Sequence, residues 1–480
     1  MINKTHKKAV IVAPTGIAAI NAGGTTIHAQ FQLPFGAFLP VDTISEPVAV
    51  GLTVHSRQSL SYQMRLQAKK RRVLSSLELL IIDEVSMLRA DVLDAIDTTL
   101  RHVRLSPEIP FGGVQVLFIG DLMQLPPVLK QNEWEILRGY YKSLYFFDAQ
   151  VLAKDPPLYI ELEKIYRQSD SQFIGVLNNL RHNRLEPADM DLLNQYYKPD
   201  FQPKPEEGYI TLTTHNAKAA ALNESSLAAL SGKSYNFEAE IDREFPEAMY
   251  PTERTLTLKV GAQVMFIKND LSGEQRYFNG KIATVESIAV EGDDTEIVVK
   301  FNDSGSELTI EKYEWRNIRY SVNEGSSEME EEIIGTFKHF PVKLAWAITV
   351  HKSQGLTFEK AVVDVGSAFA AGQIYVALSR LTSLEGLILS SKISFRGINN
   401  DAQVQRYASS KPSEDIVKKM LATDTLAFIR QYTLSTFDFS PLNRLWQQHL
   451  SSYNKSELNS EKQKHAAWGN RTFRNADTPQ

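Results

Sequence analysis

Two carboxylates stand side by side at Asp83-Glu84, directly after the apolar run Leu79-Leu80-Ile81-Ile82. Four apolar residues in a row read as a strand buried on both faces of a parallel sheet. In open α/β sheets, ligands gather outside the carboxyl ends of the strands. An acidic pair delivered to that edge suits phosphate chemistry. Asp83 could hold Mg²⁺, directly or through water, and Glu84 could orient and deprotonate the water that attacks a γ-phosphate. Apolar strands ending in acidic residues are common in α/β proteins, so the pair alone does not decide the matter.

A second run repeats the arrangement. Val114 to Asp121 reads as another buried strand, ending in Gly120-Asp121 and opening into Leu122-Met123-Gln124-Leu125-Pro126-Pro127-Val128. The Gln124 amide can donate to a γ-phosphate and accept from a water at once, and the two prolines stiffen the exit loop. Further along, Thr349-Val350-His351-Lys352-Ser353-Gln354-Gly355 concentrates hydrogen-bond donors suited to phosphates, and Gly355 permits close backbone approach. Arg167 and Arg380 lie in Ile165-Tyr166-Arg167-Gln168 and Gln373-Ile374-Tyr375-Val376-Ala377-Leu378-Ser379-Arg380.

The elements that must position these groups follow from the pattern. Ala9 to Ala13 is a strand running through Pro14-Thr15-Gly16 into a small-residue helix, a βα unit. Gly23-Gly24-Thr25-Thr26-Ile27-His28 is a loop able to approach a sugar-phosphate backbone. An irregular insertion is expected over about 30–76, ending in a basic stretch with Arg65, Lys69, Lys70, Arg71 and Arg72 that reads as a solvated helix face. Asp91 to Arg104 is a helix with Val92, Leu93, Ile96, Leu100 and Val103 toward the core. A further helix carries Phe173, Val176, Leu177 and Leu180, and Tyr209 to Leu230 reads as strand then helix. From Leu256 the texture changes to short strands and turns, including Asn279-Gly280, and 256–338 reads as a small β-barrel insertion. Glu414 to Tyr432 is helical, and 451–480 is too polar to build a core.

Composition narrows the class. The chain has 480 residues, 43% hydrophobic and 23% charged, which suits a globular protein of several domains. It has no cysteine, so disulfides and cysteine-held zinc or iron–sulfur centres are excluded, and a reducing cytoplasm is the expectation. No apolar run is long enough to span a membrane, and the basic N-terminus lacks a cleavable signal pattern. The net charge of −5 neither supports nor excludes nucleic-acid binding, because a local basic groove can sit on an acidic protein.

Taken together, Ala13-Pro14-Thr15-Gly16-Ile17-Ala18-Ala19, Gly24-Thr25-Thr26-Ile27-His28, Asp83-Glu84-Val85-Ser86-Met87, Gly120 to Val128, the His351 loop and Tyr375 to Arg380 resemble the successive motifs of superfamily-one helicases of the PIF-type, RecD-like branch. The resemblance implies an α/β fold of two RecA-like parallel-sheet domains, with an irregular insertion in the first and an SH3-like β-barrel in the second. The expected limits are 1–150 for the first, 151–255 with 339–400 for the second, 256–338 for the barrel and 401–480 for a helical, then disordered, tail. It implies an ATP-dependent, Mg²⁺-requiring helicase moving five-prime to three-prime on single-stranded DNA. Such a protein acts in repair, replication, recombination or telomere maintenance, on forks, as a monomer, and in a bacterium at the nucleoid. By resemblance, Glu84, Gln124, Arg167 and Arg380 are catalytic. Asp83, Glu84, Gln124, Arg167, Gly355 and Arg380 meet the nucleotide, with the metal on Asp83. Pro14, Thr15, Gly16, Thr26, His28, Thr349, His351 and Lys352 meet DNA.

One part of the pattern is missing. The family's phosphate-cradling loop, Gly-x-x-x-x-Gly-Lys-Ser/Thr, occurs nowhere in the chain, and Asn279-Gly280-Lys281-Ile282 is no substitute. The expectation is that Met1 is an internal methionine of a longer protein, and that the strand ahead of that loop would lie beside the strand ending in Asp83. The alternative is a nucleic-acid-binding chain that does not hydrolyse ATP.

Overall fold

The computed structural model describes residues 7–437 apart from 45–51, 64–67, 183, 205–206, 271–275, 292–293, 324–327, 367–370 and 394–401, with scattered positions up to 449. Arg65 and the segment 451–480 therefore lie outside the described residues. Up to Ser410 the chain forms one compact unit; Lys411 onward forms another.

The buried runs pair as parallel strands. The first sheet has the order Thr25–Thr26, Ala9–Ala13, Leu79–Ile82, Gln115–Phe118. Val12 lies opposite Ile82, and Ile82 opposite Phe118. Parallel pairing in this register puts Pro14-Thr15-Gly16, Asp83-Glu84 and Gly120-Asp121 on one edge. Val10, Val12, Leu80 and Ile82 are fully buried against Leu93, Ile96 and Leu100 of the helix Ala90–Val103. Val92 is only partly buried beside that core.

Two expectations need correction here. The strand Gln115–Phe118 is not buried on both faces: Leu117 and Ile119 are each 45% exposed. Among the described residues it pairs only with Leu79–Ile82, so it is an edge strand, and the face carrying Leu117 is open. The acidic strand, by contrast, is flanked on both sides, by Ala9–Ala13 and Gln115–Phe118. Among the described residues the open edges of this sheet are therefore Thr25–Thr26 and Gln115–Phe118, not the strand that ends in Asp83.

A second parallel sheet has the order Ala347–Thr349, Ile210–Thr213, Ala361–Asp364, Leu387–Leu389. Its core takes in Phe173, Val176, Leu177 and Leu180, the apolar stripe of the helix Ser171–Arg181. Asp170 caps that helix, accepting from the backbone of Gln172 and Phe173.

The β-rich part is wider than 256–338. A five-stranded antiparallel sheet runs from Glu307–Thr309 through Asp294–Phe301, Ile282–Glu291 and Gln263–Phe266 to Val342–Leu344. A hairpin, Tyr313–Val322 with Met329–His339, joins Glu240–Arg243 in a separate sheet. This hairpin reaches the first sheet, where Tyr320 is 5% exposed within the first core and its hydroxyl accepts from Ile11 N at 3.4 Å. Residues beyond 400 also return to that core: the helix Ala402–Ser409 buries Val404 there.

The second unit contains one long helix, Glu414–Thr436, which exposes Leu421, Leu426, Phe428 and Tyr432. Among the described residues no helix is long and apolar enough to cross a membrane.

Candidate nucleotide and nucleic-acid site

Asp83 and Glu84 leave the acidic strand in a sharp turn. Glu84 sits at φ 51°, a left-handed conformation unusual for a residue with a side chain. Its own N–H donates to Asp83 Oδ1 at 2.9 Å. Burial pushes the Glu84 carboxyl above its usual range, as does the charge of Asp83, while Arg380 opposes the rise. A carboxylate strained into position and partly desolvated is the form a general base takes.

The loop after the edge strand brings Gln124 to the same edge. Asp121 organises it: the carboxylate accepts from Met123 N at 3.1 Å and from the Gln124 side-chain amide at 3.4 Å. Leu122 and Met123 pack into the first core, whereas Leu125 packs into the second. Gln124 is thus held at the seam between the two sheets.

The arginines arrive from the other side of the seam. Arg167 donates to Ser379 O at 3.2 Å, and Gln168 donates to Ser379 O and Leu381 O. Arg380 is 3% exposed and tied to Val376 O and the Ser379 hydroxyl. Burial and the neighbouring Arg167 charge bring its guanidinium down to about 10. Arg380 thus feels the like charge of Arg167 on one side and the carboxylates of Glu84 and Asp121 on the other, and a pair of neighbouring guanidinium groups suits an anion such as a polyphosphate. Asp83 also fits Mg²⁺ in donor type, because that ion is commonly held by one or two carboxylates together with water and substrate phosphates. Among the described residues no cluster of three or more ligating side chains offers a self-sufficient metal cage.

The proposed nucleic-acid contacts fall on both sheets. On the first, Thr15 and Thr26 cap short helices, their hydroxyls accepting from Ala18 N and Ala29 N. Pro14 is half-buried, and His28 stacks on Phe35 at 5.0 Å, held below its usual pKa by burial and by Arg89. Gly16 abuts the segment around Ala248 and Met249. On the second, Lys352 and Gly355 are exposed, and Gly355 adopts φ 74°. His351 is half-buried and kept below its usual pKa by that burial. Thr349 differs from expectation: it is 3% exposed, and its hydroxyl accepts from Lys352 N, so it shapes the loop from inside. The Gln354 amide nitrogen is buried without a partner, a cost that a ligand of this loop would relieve.

Two participants, Arg181 and Tyr375, were not legible in the sequence. Arg181 spans Asp121 at 3.4 Å and Glu161 at 2.8 Å, and the Tyr375 hydroxyl donates to Asp121 at 3.2 Å. An arginine in the last turn of a helix reads as a dipole complement, and a tyrosine among apolar residues as core. Only Asp121, at a strand's end, carried a sequence signal.

A family model described as PIF1-like helicase matches residues 1–182, and one described as DNA helicase, middle domain, matches 420–479. The chain is 32% identical to mouse ATP-dependent DNA helicase PIF1, an alignment covering 79% of this chain and 52% of the mouse protein. It is 30% identical to ATP-dependent DNA helicase Pif1 of Bdellovibrio bacteriovorus, covering 80% of this chain and 78% of that one. The chain spans about half the length of its mammalian relatives. The crystal structure of Bacteroides sp Pif1 in complex with ADP-AlF4 superposes with a TM-score of 0.75 at 39% identity, covering 85% of this chain and 88% of that one. The same Bacteroides protein bound to ssDNA gives 0.56. Two RecA-like parallel sheets, the order of the motifs and these likenesses agree: the chain belongs to the family of Pif1-like helicases.

Proposed function

We propose that this protein is an ATP-dependent DNA helicase that couples ATP hydrolysis to movement along single-stranded DNA, five-prime to three-prime. The observation that supports the reading is the seam itself, where the charges of Glu84 and Arg380 act on each other and Gln124 meets the start of the helix that leads to Arg380. Glu84 takes the proton of the attacking water, Gln124 orients that water against the γ-phosphate, and Arg167 and Arg380 neutralise the charge that develops on the transferred group. Mg²⁺, held through Asp83, would offset charge on the phosphate oxygens. Gly355 lies on the loop that turns from nucleotide to DNA, with His351 and Lys352 toward the DNA phosphates. Pro14, Thr15, Gly16, Thr26 and His28 complete the track on the first sheet, with Thr349 supporting its loop.

The proposed division is 1–150 for the first RecA-like domain and 151–255 with 339–400 for the second, except that Glu240–Arg243 and Val342–Leu344 pair with the β-rich part. An SH3-like barrel within the β-rich insertion is part of the same reading. Forked and single-stranded DNA are the proposed substrates, because similar Pif1 structures are described with ssDNA and with forked dsDNA, and genome maintenance is the proposed setting for a monomer.

The test is DNA-stimulated ATP hydrolysis and unwinding by the 480-residue chain and its Glu84→Gln variant. Turnover in the wild type, lost in the variant while DNA binding persists, supports the reading. Equal turnover in both removes Glu84 from its role. A second reading is favoured by the lack of a phosphate-cradling loop in the sequence: the chain binds DNA without hydrolysing ATP. Salt-sensitive DNA binding with no stimulated hydrolysis would select it.

A further inference from the structure

A carboxylate bridges the seam. Asp121 belongs to the loop of Gln124, yet it accepts from Tyr375 of the helix Ala371–Leu378 and from Arg181 of the helix Ser171–Arg181. The Tyr375 ring packs against both cores. Arg380 follows the same helix two residues past its end and leans back on Val376 O. At its start, Gly372 lies so close that an added Cβ would come within 2.6 Å of Gln124 O. The side chain of Gln124 meanwhile rests on Asp121, sharing Oδ2 with the Tyr375 hydroxyl.

We infer that Asp121, Tyr375 and Arg181 form a positioning link that ties the placement of Gln124 to closure of the cleft. One carboxylate oxygen receives both the Gln124 amide and the Tyr375 hydroxyl, so a change in either donor alters the acceptor available to the other. When Gln124 leaves Asp121 for a phosphate and a water, the carboxylate is free to bind Tyr375 and Arg181 more fully. The second sheet, with Arg380 on it, is then drawn in. These residues act through Gln124 and Arg380 rather than on the reacting atoms. The connection to turnover rests on the proposed ATPase, but the connection between Asp121 and the separation of the sheets does not.

Because the chain has no cysteine, Asn132→Cys and Ala221→Cys place two dyes specifically, on exposed helical sites belonging to the first and second sheets. Single-molecule energy transfer on the full chain reads the separation. Tyr375→Phe keeps the ring and removes one hydroxyl, and is expected to raise the open fraction about tenfold. Asp121→Asn should do at least as much, and the double variant should match the stronger single variant rather than their product. The melting temperature of Tyr375→Phe should stay near the wild type. If that temperature instead falls while the distances hold, the tyrosine is merely structural and the inference fails. It fails equally if neither single variant alters the distance distribution, or if the two effects multiply. In hydrolysis, Tyr375→Phe should lower kcat about tenfold with the KM for ATP changed less than about twofold. Absence of hydrolysis in the wild type would refute the proposed function, while the distances would still decide the link.

Discussion

His339 ends the longer strand of the hairpin and is fully buried, with neither ring nitrogen hydrogen-bonded. Phe337 and Phe340 surround it, at ring separations of 6.0 and 6.1 Å. Burial, reinforced by Lys312 and opposed by Glu238 and Glu240, holds the imidazole down at about 4 against an ordinary 6.5. The native state therefore keeps His339 neutral where the unfolded chain would bind a proton. Stability is fully present above pH 6.5 and is lost as pH falls toward 4. At about 1.4 kcal/mol per pH unit, the whole effect is about 3 kcal/mol, and about 2 kcal/mol of it is lost by pH 5. His339→Met has no proton to bind and removes two unpaired polar atoms, so at pH 7.5 it should be neutral or slightly stabilising. Urea unfolding of both proteins at pH 7.5, 6 and 5, followed by tryptophan fluorescence, checks the reasoning; Trp315 reports from the same strands, packed edge-on against Phe337. The stability difference between variant and wild type should widen by about 2 kcal/mol between pH 7.5 and 5. Parallel pH profiles would refute a neutral buried histidine.

Further outcomes are expected at the seam and in the cores. Gly372→Ala forces a methyl toward two backbone carbonyls, Gln124 O at 2.6 Å and Met123 O at 3.1 Å, which cannot yield as a flexible side chain would. Closure should weaken by about 1–3 kcal/mol, read as a longer separation between the labelled sheets with little change in either sheet's own hydrogen exchange. Lys281 pairs with Asp303 and, at 2.9 Å, with Glu359. Lys281→Met leaves two carboxylates facing each other and should cost about 1 kcal/mol in thermal unfolding, with Lys281→Arg recovering most of it. Leu80→Ala empties a fully buried position in the acidic strand and should cost about 2–5 kcal/mol in urea unfolding.

The sequence by itself determined the parts whose physics is local. Apolar runs of four or five residues, too short for helices and bounded by turn residues, marked the strands Ala9–Ala13 and Leu79–Ile82. A 3.6-residue spacing marked Phe173, Val176, Leu177 and Leu180 as one buried stripe. Since parallel strands share one carboxyl edge, placing Asp83, Glu84 and Asp121 together needed little more than the strand assignments. The motif order then carried the family.

Only the tertiary structure decided which strand lies at the edge, because an apolar run reads the same whether a neighbour covers it or not; Leu117 and Ile119 are exposed for that reason. Only packing could assign Leu125 to one core and Leu122 and Met123 to the other, although they are adjacent in sequence. Thr349 has the side chain of a phosphate contact, but a strand end buried within its sheet turned its hydroxyl to the backbone of its own loop. The bond between Asp121 and Tyr375 joins residues 254 positions apart. Its existence depends on how the two parallel sheets meet, and no periodicity within either one records that geometry.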